Sequence, residues 1–365
     1  MSSPRRIFVI GATGAQGIPV CKGLAQDGGY ALRILTRDPS SARAKALQAL
    51  GDVEVMDGTF ASEADLRRGF RGCWGAFVNI DGFNCGEKAE IFWGMRAYEL
   101  AIAEGIKFFV WGNIDYAHKM SGYDARVRAG HVDGKGRVGD WILDQNKDNA
   151  GKRMDAALLT TSAYIEMNFG AQTIMTPRIE DGVVTWRVPI GEGAVPFVAL
   201  DDCAYYARWL FDHPERASGM NLSVSIAPIT YDDLTAAFTK VTGHPARWID
   251  TPLDQYFAAF PLPPGAPAAY NADPKDPATL TFVDNFSGLW NIFKYYGADR
   301  EGPFARDYRL LDEIFPGRVK SAEEWVRKED EKLKAEGRGG LWESLQEGNM
   351  KMVLKIGEDG RKGRL

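Results

Sequence analysis

The sequence predicts an α/β protein in which a doubly wound parallel sheet is followed by a smaller α+β part and a C-terminal helical extension. Short apolar, β-branched runs alternate with segments of helical periodicity through residues 1–165. Such alternation is typical of parallel strands joined by right-handed helical crossovers. Beyond residue 260 a proline-rich stretch gives way to aromatic-rich and charged helical segments, which marks a change of organisation.

The strands and helices of residues 1–165 are predicted from the spacing of apolar residues and from the residues that end each run. Apolar runs ended by glycine, asparagine or aspartate predict strands, and spacings of three and four predict helices. The helices include a long one at about 86–104. The predicted strands are at residues 5–10, 30–37, 53–58, 75–81, 107–113 and 156–164.

Two further parts are predicted. Residues 166–262 form a smaller α+β substrate domain, with a hairpin between about 178 and 200 and some elements that return to the main sheet. Its helices are predicted at 202–215 and 231–244, the second ended by Gly243. Residues 263–365 form the C-terminal extension, whose aromatic side chains are expected to pack in a core and whose last residues, 357–365, form a frayed tail.

Composition excludes several classes of protein. The 365 residues are 45% apolar and carry a net charge of −5, so the chain can bury a core and has no overall attraction to nucleic acid or anionic lipid. No apolar run is long enough to cross a membrane. Four dispersed cysteines predict reduced thiols, and no ligand spacing predicts a metal site. We expect a soluble cytoplasmic protein.

The turn after the first strand carries a glycine motif. Gly11, Gly14 and Gly17 lie between a predicted strand and a predicted helix, with Thr13 and Gln16 among them. In this context the glycines allow a sharp turn, a close approach of the backbone to a pyrophosphate, and tight packing of helix on strand. The turn therefore predicts a dinucleotide-binding Rossmann domain in which these five residues contact the cofactor.

The residue that ends the second strand indicates which dinucleotide binds. Arg37 stands where an NAD-binding chain usually has an acid. A guanidinium suits a 2′-phosphate, so we predict NADP(H), with Ser41 as a further phosphate ligand and Ser40 and Arg43 nearby. Two alternatives stay open: Arg37 is a solvated surface residue, or the adjacent Asp38 turns inward to bind a ribose hydroxyl.

Further cofactor contacts are predicted at the ends of the next two strands. Asp57 can accept a hydrogen bond from the adenine amino group, or it can simply form the turn before Gly58. Asn79 and Ile80 end the fourth strand. The carboxyl ends of parallel strands share one edge, so Asp57, Gly58, Asn79 and Ile80 are expected beside the cofactor.

Together these residues resemble the NmrA-like family, an atypical branch of the short-chain dehydrogenase/reductases. The resemblance covers about residues 5–255 and implies a Rossmann domain plus a small substrate or partner domain. Some members of the family are regulators that bind a dinucleotide, and others are reductases. The matching segments are VIGATGAQG, LTRDPSS, HVDGKGRVGDWI at 131–142, TSAYIEMN at 161–168 and PFVALDDCA at 196–204.

The resemblance also exposes a departure. Short-chain dehydrogenases use a serine, a tyrosine and a lysine, and the Tyr-x-x-x-Lys position here is His131-x-x-x-Lys135. Lys135 would hold the nicotinamide ribose. The position of the serine corresponds to Gly112, next to Asn113, a candidate for orienting substrate. Two of the three catalytic groups are therefore missing.

Other groups can replace the missing tyrosine. His131 lies one helical turn from Lys135, and an imidazole titrates near neutral pH, so His131 is either a general acid or a structural residue of its helix. Tyr123 and Tyr116, in the preceding loop, are alternative proton donors or packing residues. The resemblance places Tyr164 near the nicotinamide.

These observations favour an NADP(H)-dependent reductase acting on a small apolar or aromatic carbonyl, imine, enone or quinone. The alternative is a non-catalytic NADP(H) sensor that regulates transcription through a protein partner, since the serine and tyrosine are missing. Nucleic-acid binding is disfavoured by the acidic net charge. Whether the protein forms oligomers is left open.

Overall fold

The structure is a computed structural model that describes residues 4–263, 265–269, 271–299 and 301–355. Three short 3-10 turns lie at Gln26–Gly28, Ala125–Val127 and Ile165–Asn168. The strands are β1 Arg6–Ile10, β2 Ala31–Thr36, β3 Val53–Asp57, β4 Gly75–Val78, β5 Phe108–Ile114, β6 Asp155–Thr161, β7 Arg178–Glu180, β8 Val183–Val188, β9 Val195–Pro196, β10 Asn221–Ser223, β11 Pro228–Ile229 and β12 Ala246–Asp250. The helices are α1 Gly17–Ala25, α2 Ala42–Gln48, α3 Glu63–Phe70, α4 Gly82–Ala103, α5 Ala117–Met120, α6 Gly130–Asn149, α7 Leu200–Asp212, α8 Pro214–Ala217, α9 Tyr231–Thr242, α10 Leu253–Ala258, α11 Phe282–Tyr296, α12 Tyr308–Ile314, α13 Ala322–Ala335 and α14 Leu341–Ser344.

The main sheet has the predicted doubly wound architecture. Within the described residues it has seven strands in the order β10-β6-β5-β4-β1-β2-β3, and every neighbouring pair is parallel. The direction of winding reverses between β1 and β4, which opens a crevice at their carboxyl ends. The fourth strand ends earlier than predicted, at Val78, so Asn79 and Ile80 follow the strand and line that crevice.

Both faces of the sheet are buried. On β1, Ile7 and Val9 belong to the core beneath α1 and α7, whereas Phe8 and Ile10 belong to the core beneath α3, α4 and α6. Helix α7 comes from the predicted second part of the chain, and so does strand β10. Elements of that part therefore return to the main sheet, as the sequence indicates.

The rest of the chain packs at the carboxyl edge of the sheet. The predicted hairpin is formed by β7 and β8, which pair antiparallel, and β12 joins β8 in parallel. Helices α11, α13 and α14 share one apolar core with this part, whereas α12 packs with α7. Trp325 of α13 stacks on Phe169, with ring centroids 5.2 Å apart, and Trp290 of α11 is fully buried. The expectation that the aromatic residues of the extension pack in a core is confirmed.

Helix α9 shows why one predicted boundary holds. Thr230 and Asp233 form a reciprocal capping box at its start, and Gly243 ends it with a φ of 75°.

Among the described helices, none is long and apolar enough to cross a bilayer. The predicted frayed tail, 357–365, lies outside the described residues.

Candidate functional site

One continuous cavity follows the carboxyl edge of the main sheet. It begins at the turn between β1 and α1, passes the ends of β2, β4 and β5, and continues under the C-terminal extension. It contacts most of the predicted site residues. Those that line it are Gly11, Thr13, Gly14, Gln16, Arg37, Gly58, Asn79, Ile80, Asn113, His131, Lys135 and Tyr164.

The glycine turn has the geometry that a nucleotide requires. Gly11 has a φ of 81°, and a Cβ there would lie 2.3 Å from the carbonyl oxygen of Asn79. A Cβ on Gly17 would lie 2.0 Å from the carbonyl oxygen of Gly11, so Gly17 is needed for the turn itself and does not line the cavity. Neither position accepts a larger residue, because the added side chain would clash with backbone atoms that cannot move without distorting the turn.

At the end of β2, Arg37 faces the cavity and Asp38 does not. The Asp38 carboxylate accepts hydrogen bonds from the backbone N–H and the hydroxyl of Ser40, at 3.0 and 2.6 Å. Asp38 thus forms a turn within its own loop. The cavity wall at the end of β2 therefore carries a guanidinium, which suits a phosphate.

Three further predicted residues, Ser41, Asp57 and Tyr123, do not line the cavity either. Ser41 is the N-cap of α2 and accepts from the N–H of Ala44 at 3.3 Å, and Asp57 is exposed, with its carbonyl bonded to Arg68. Tyr123 is 62% exposed and packs on His118. Each of the three has a local turn or surface role in the structure, so cofactor or catalytic roles for them stay predictions without support from the cavity.

Lys135 is held by three acceptors at the floor of the cavity. Its ammonium donates to Oδ1 of Asn79 at 3.0 Å, to the carbonyl of Ile80, and to Oε1 of Glu90 at 2.6 Å. An ammonium has three N–H donors, so these bonds use its full capacity. A ribose hydroxyl can bind Lys135 only by exchanging with one of these acceptors.

Sequence reasoning missed Glu90. It lies within α4, fully buried, and burial raises its pKa to about 7 although Lys135 lowers it. Its Oε2 has no hydrogen-bond partner among the described residues and faces the position that a Cβ on Gly82 would fill. The signal in the sequence is a single acid within an apolar helical run, AEIFWGM.

A chain of hydrogen bonds links this ion pair to the glycine turn. Nδ2 of Asn79 donates to Oε1 of Gln16 at 2.6 Å, and Nε2 of Gln16 reaches Oγ1 of Thr161 at 3.5 Å. This series of hydrogen bonds therefore connects the helix that carries Lys135 with the turn that would hold a pyrophosphate. Gln16, predicted as a cofactor contact, also supports the floor of the site.

His131 lies on the same face of α6 as Lys135, as predicted, among Phe83 and Phe286 with centroids 4.8 and 5.4 Å away. Nδ2 of Asn285 in α11 lies 2.9 Å from its Nδ1. Burial lowers the pKa of His131 to about 4, so the ring is neutral at pH 7. Oδ1 of Asn285 lies 3.1 Å from the same nitrogen, so the contact fits either neutral tautomer, and the ring proton is on Nε2 when Nδ1 accepts from the amide.

Gly112, at the position of the missing serine, and the adjacent Asn113 are both tightly packed in the structure. A Cβ on Gly112 would lie 2.9 Å from Cβ of Asn79, which leaves no room for a serine. Asn113 donates to Oγ1 of Thr160 at 2.8 Å and lies against Gly139 of α6. Asn113 was predicted to orient substrate. In the structure its side chain contacts both the sheet, through Thr160, and α6, through Gly139. Tyr164 lines the cavity, and burial raises the pKa of its hydroxyl well above 10.

Beyond these polar groups the cavity becomes an apolar chamber. A buried ion pair fastens its far wall: Arg306, whose side chain is 1% exposed, contacts Asp115 just after β5 at 2.6 Å. A second cavity adjoins the first at Gly82, Phe83 and His131. The residues of the apolar chamber are Met167, Ile174, Met175, Pro196, Phe286, Leu289, Ile292, Phe293 and Phe304.

Comparison with known proteins agrees with this arrangement. Residues 3–278 match the NmrA-like family. The NmrA-like family domain-containing oxidoreductase notA of Aspergillus sp. (strain MF297-2) is 44% identical over 280 residues, covering 70% of this chain and 78% of the relative.

Two solved structures share the fold at low identity. NmrA, a negative transcriptional regulator in complex with NADP, is 17% identical with a TM-score of 0.70, over 93% of this chain and 99% of that one. The Citrobacter sp. triphenylmethane reductase complexed with NADP(H) is 16% identical with a TM-score of 0.64, over 88% and 99%. The chain belongs to the NmrA-like family.

Proposed function

We propose that the protein is an NADP(H)-dependent reductase that acts on a small apolar or aromatic carbonyl, imine, enone or quinone. The observation that carries the proposal is the shape of the cavity, which runs from the glycine turn into an apolar chamber beneath α11. Binding a dinucleotide requires the first half of that cavity. The second half suits an apolar molecule placed against the cofactor.

The residues of the first half fit NADP(H). The glycine turn keeps side chains away from the space that a pyrophosphate needs, and Arg37 offers a planar cation for a 2′-phosphate. When bound, the reduced cofactor supplies hydride. The chain supplies binding, orientation and a place for the accompanying proton.

We assign the neutral imidazole of His131 as the hydrogen-bond donor to the substrate. In the tautomer whose Nδ1 accepts from Asn285, the Nε2–H can donate a hydrogen bond to a carbonyl oxygen or imine nitrogen, which polarises that group without a charged imidazole. The aromatic rings of Phe83 and Phe286 exclude water from the imidazole, which strengthens the bond. Lys135 fixes Asn79 and Ile80, and the uncharged Asn79 oxygen is the acceptor that a ribose hydroxyl would displace.

The relatives support both this proposal and one alternative. The notA protein is named an oxidoreductase and the Citrobacter protein a reductase. NmrA is described as a negative transcriptional regulator. One observation favours a non-catalytic redox sensor here as well: Gly112 has no space for the serine of the wider dehydrogenase class.

The test separates these functions in two steps. Calorimetric titration with NADPH, NADP⁺, NADH and NAD⁺ measures dinucleotide binding, and the absorbance of bound NADPH is then followed against quinones, enones, aldehydes and imines. Oxidation that depends on substrate, and that falls in His131→Phe, supports the reductase. Tight binding without oxidation favours the sensor, and failure to bind any dinucleotide rejects both.

A further inference from the structure

We propose that Lys355, at the end of the C-terminal segment 351–355, binds a phosphate group of the dinucleotide, so that its side chain is part of the cofactor site. This inference rests on the proposed NADP(H) binding and adds a ligand that comes from far outside the Rossmann domain. Sequence patterns of the nucleotide turn do not indicate it, because the lysine follows the turn by more than 300 residues.

The first observation is the contact between Lys355 and the glycine turn. Nζ of Lys355 donates to Oγ1 of Thr13 at 3.0 Å, and both residues line the cavity. Nη1 of Arg43 donates to the carbonyl of Thr13 at 3.2 Å. Two cationic side chains from opposite ends of the chain therefore meet at one residue of the turn. A phosphate placed in the cavity beside Thr13 would gain a charge-assisted hydrogen bond from Lys355, whereas Arg43 does not line the cavity and supports the turn through its backbone.

The second observation is that the segment is docked on the body of the protein. The N–H of Ala171 donates to the carbonyl of Lys351 at 2.9 Å, and Ala171 forms a parallel bridge with Met352. A Cβ on Gly170 would lie 2.4 Å from Cγ2 of Val353, so the glycine provides the space that Val353 occupies. These contacts fix the direction from which Lys355 approaches Thr13.

The test compares dinucleotide affinities of lysine variants. Lys355→Ala should weaken NADPH binding about ten-fold or more, the scale of one charge-assisted hydrogen bond, and Lys355→Arg should retain most of the affinity. Lys351→Ala, an exposed lysine of the same segment, is the matched control and should bind as wild type. An equal loss for NADPH and NADH identifies the pyrophosphate, and a loss confined to NADPH identifies the 2′-phosphate.

A second variant tests the docking without changing a charge. Gly170→Ala should displace Val353, weaken NADPH binding, and add nothing further when combined with Lys355→Ala, since both changes remove the same contact. Its fold is checked by circular dichroism and its melting temperature.

Three results decide the proposal. Unchanged or tighter NADPH binding by Lys355→Ala, with wild type binding normally, overturns this inference alone. Additive losses in the double variant overturn the docking argument. Failure of the wild-type protein to bind any dinucleotide rejects the proposed function instead.

Discussion

Oε1 of Glu90 and Nζ of Lys135 lie 2.6 Å apart beneath the cavity, with Glu90 fully buried and the Lys135 side chain 11% exposed. Asp81, the N-cap of α4, adds a second acidic group that lines the cavity. Desolvation disfavours the carboxylate of Glu90 more than Lys135 favours it, so the pKa of Glu90 reaches about 7. The charge beneath the site therefore changes near neutral pH.

Glu90→Gln should remove a pH-dependent loss of stability. The pKa of Glu90 is about 7 in the folded protein against 4.5 for the free group, so the folded state binds more protons across that interval. The free energy of unfolding then falls as pH rises through this window. We expect the variant to match wild type at the acidic end and to be the more stable protein at the alkaline end.

Urea denaturation of both proteins at a series of pH values measures this difference. Glu99→Gln, an exposed glutamate on the same helix, is the control and should show no such trend. If loss of the countercharge to Lys135 outweighs relief of the buried carboxylate, Glu90→Gln will be less stable at alkaline pH, contrary to the raised pKa.

The fold could be predicted because its signals are local. Alternating strand and helix patterns specify the doubly wound sheet, and the requirement at Gly11 for positive φ marks the turn between β1 and α1. The position of Arg37 at the end of β2 is local in the same way, since it follows from chain distance along one βαβ unit. Such positions depend on neighbours in sequence.

Glu90 and Lys355 could not be predicted, because tertiary contacts select them. Glu90 meets Lys135 only when α4 packs on α6, and Lys355 meets Thr13 only when the C-terminal segment docks. Conversely, the hydroxyl of Ser41, which the sequence predicts as a phosphate ligand, caps α2 in the structure. A polar residue near a motif has several local partners to satisfy, and the sequence alone does not rank them.

Arg37→Ala should change the choice of dinucleotide. Removing a guanidinium from a 2′-phosphate costs one or two charge-assisted hydrogen bonds, so NADPH affinity should fall roughly 10- to 100-fold while NADH affinity stays nearly constant. Calorimetry with both cofactors measures the ratio. Lys45→Ala, an exposed lysine on α2, removes the same charge away from the cavity and should leave both affinities unchanged. Equal losses for the two cofactors would reject the phosphate role of Arg37.

His131→Phe should lower turnover and leave NADPH binding intact. The substitution keeps an aromatic ring against Phe83 and Phe286 but removes the ring N–H. We expect kcat to fall about 100-fold, the lower end of the range for loss of one hydrogen-bond donor to a developing oxyanion. Stopped-flow oxidation of NADPH separates this effect from binding.

The pH dependence of kcat tests the protonation state of His131. Because burial lowers its pKa to about 4, activity that needs the neutral ring should decline only as pH falls towards that value. The profile is best recorded in Glu90→Gln, which removes a nearby group that titrates at about 7. A loss of activity as pH rises through the ordinary histidine range would instead indicate a charged acid.

Arg306→Met should loosen the apolar chamber and spare the cofactor half of the cavity. Arg306 holds Asp115 with two hydrogen bonds, at 2.6 and 3.2 Å, and its removal leaves a mostly buried carboxylate uncompensated, at a cost of about 3–5 kcal/mol in unfolding free energy. Phe304, two residues away, lines the chamber, so KM for substrate should rise while NADPH affinity changes little. Urea denaturation, calorimetry and steady-state kinetics measure the three quantities, with the exposed Arg309→Met as control. Adding Asp115→Asn should recover part of the lost stability, because it removes the buried charge, and an additive loss would show that the two residues act independently.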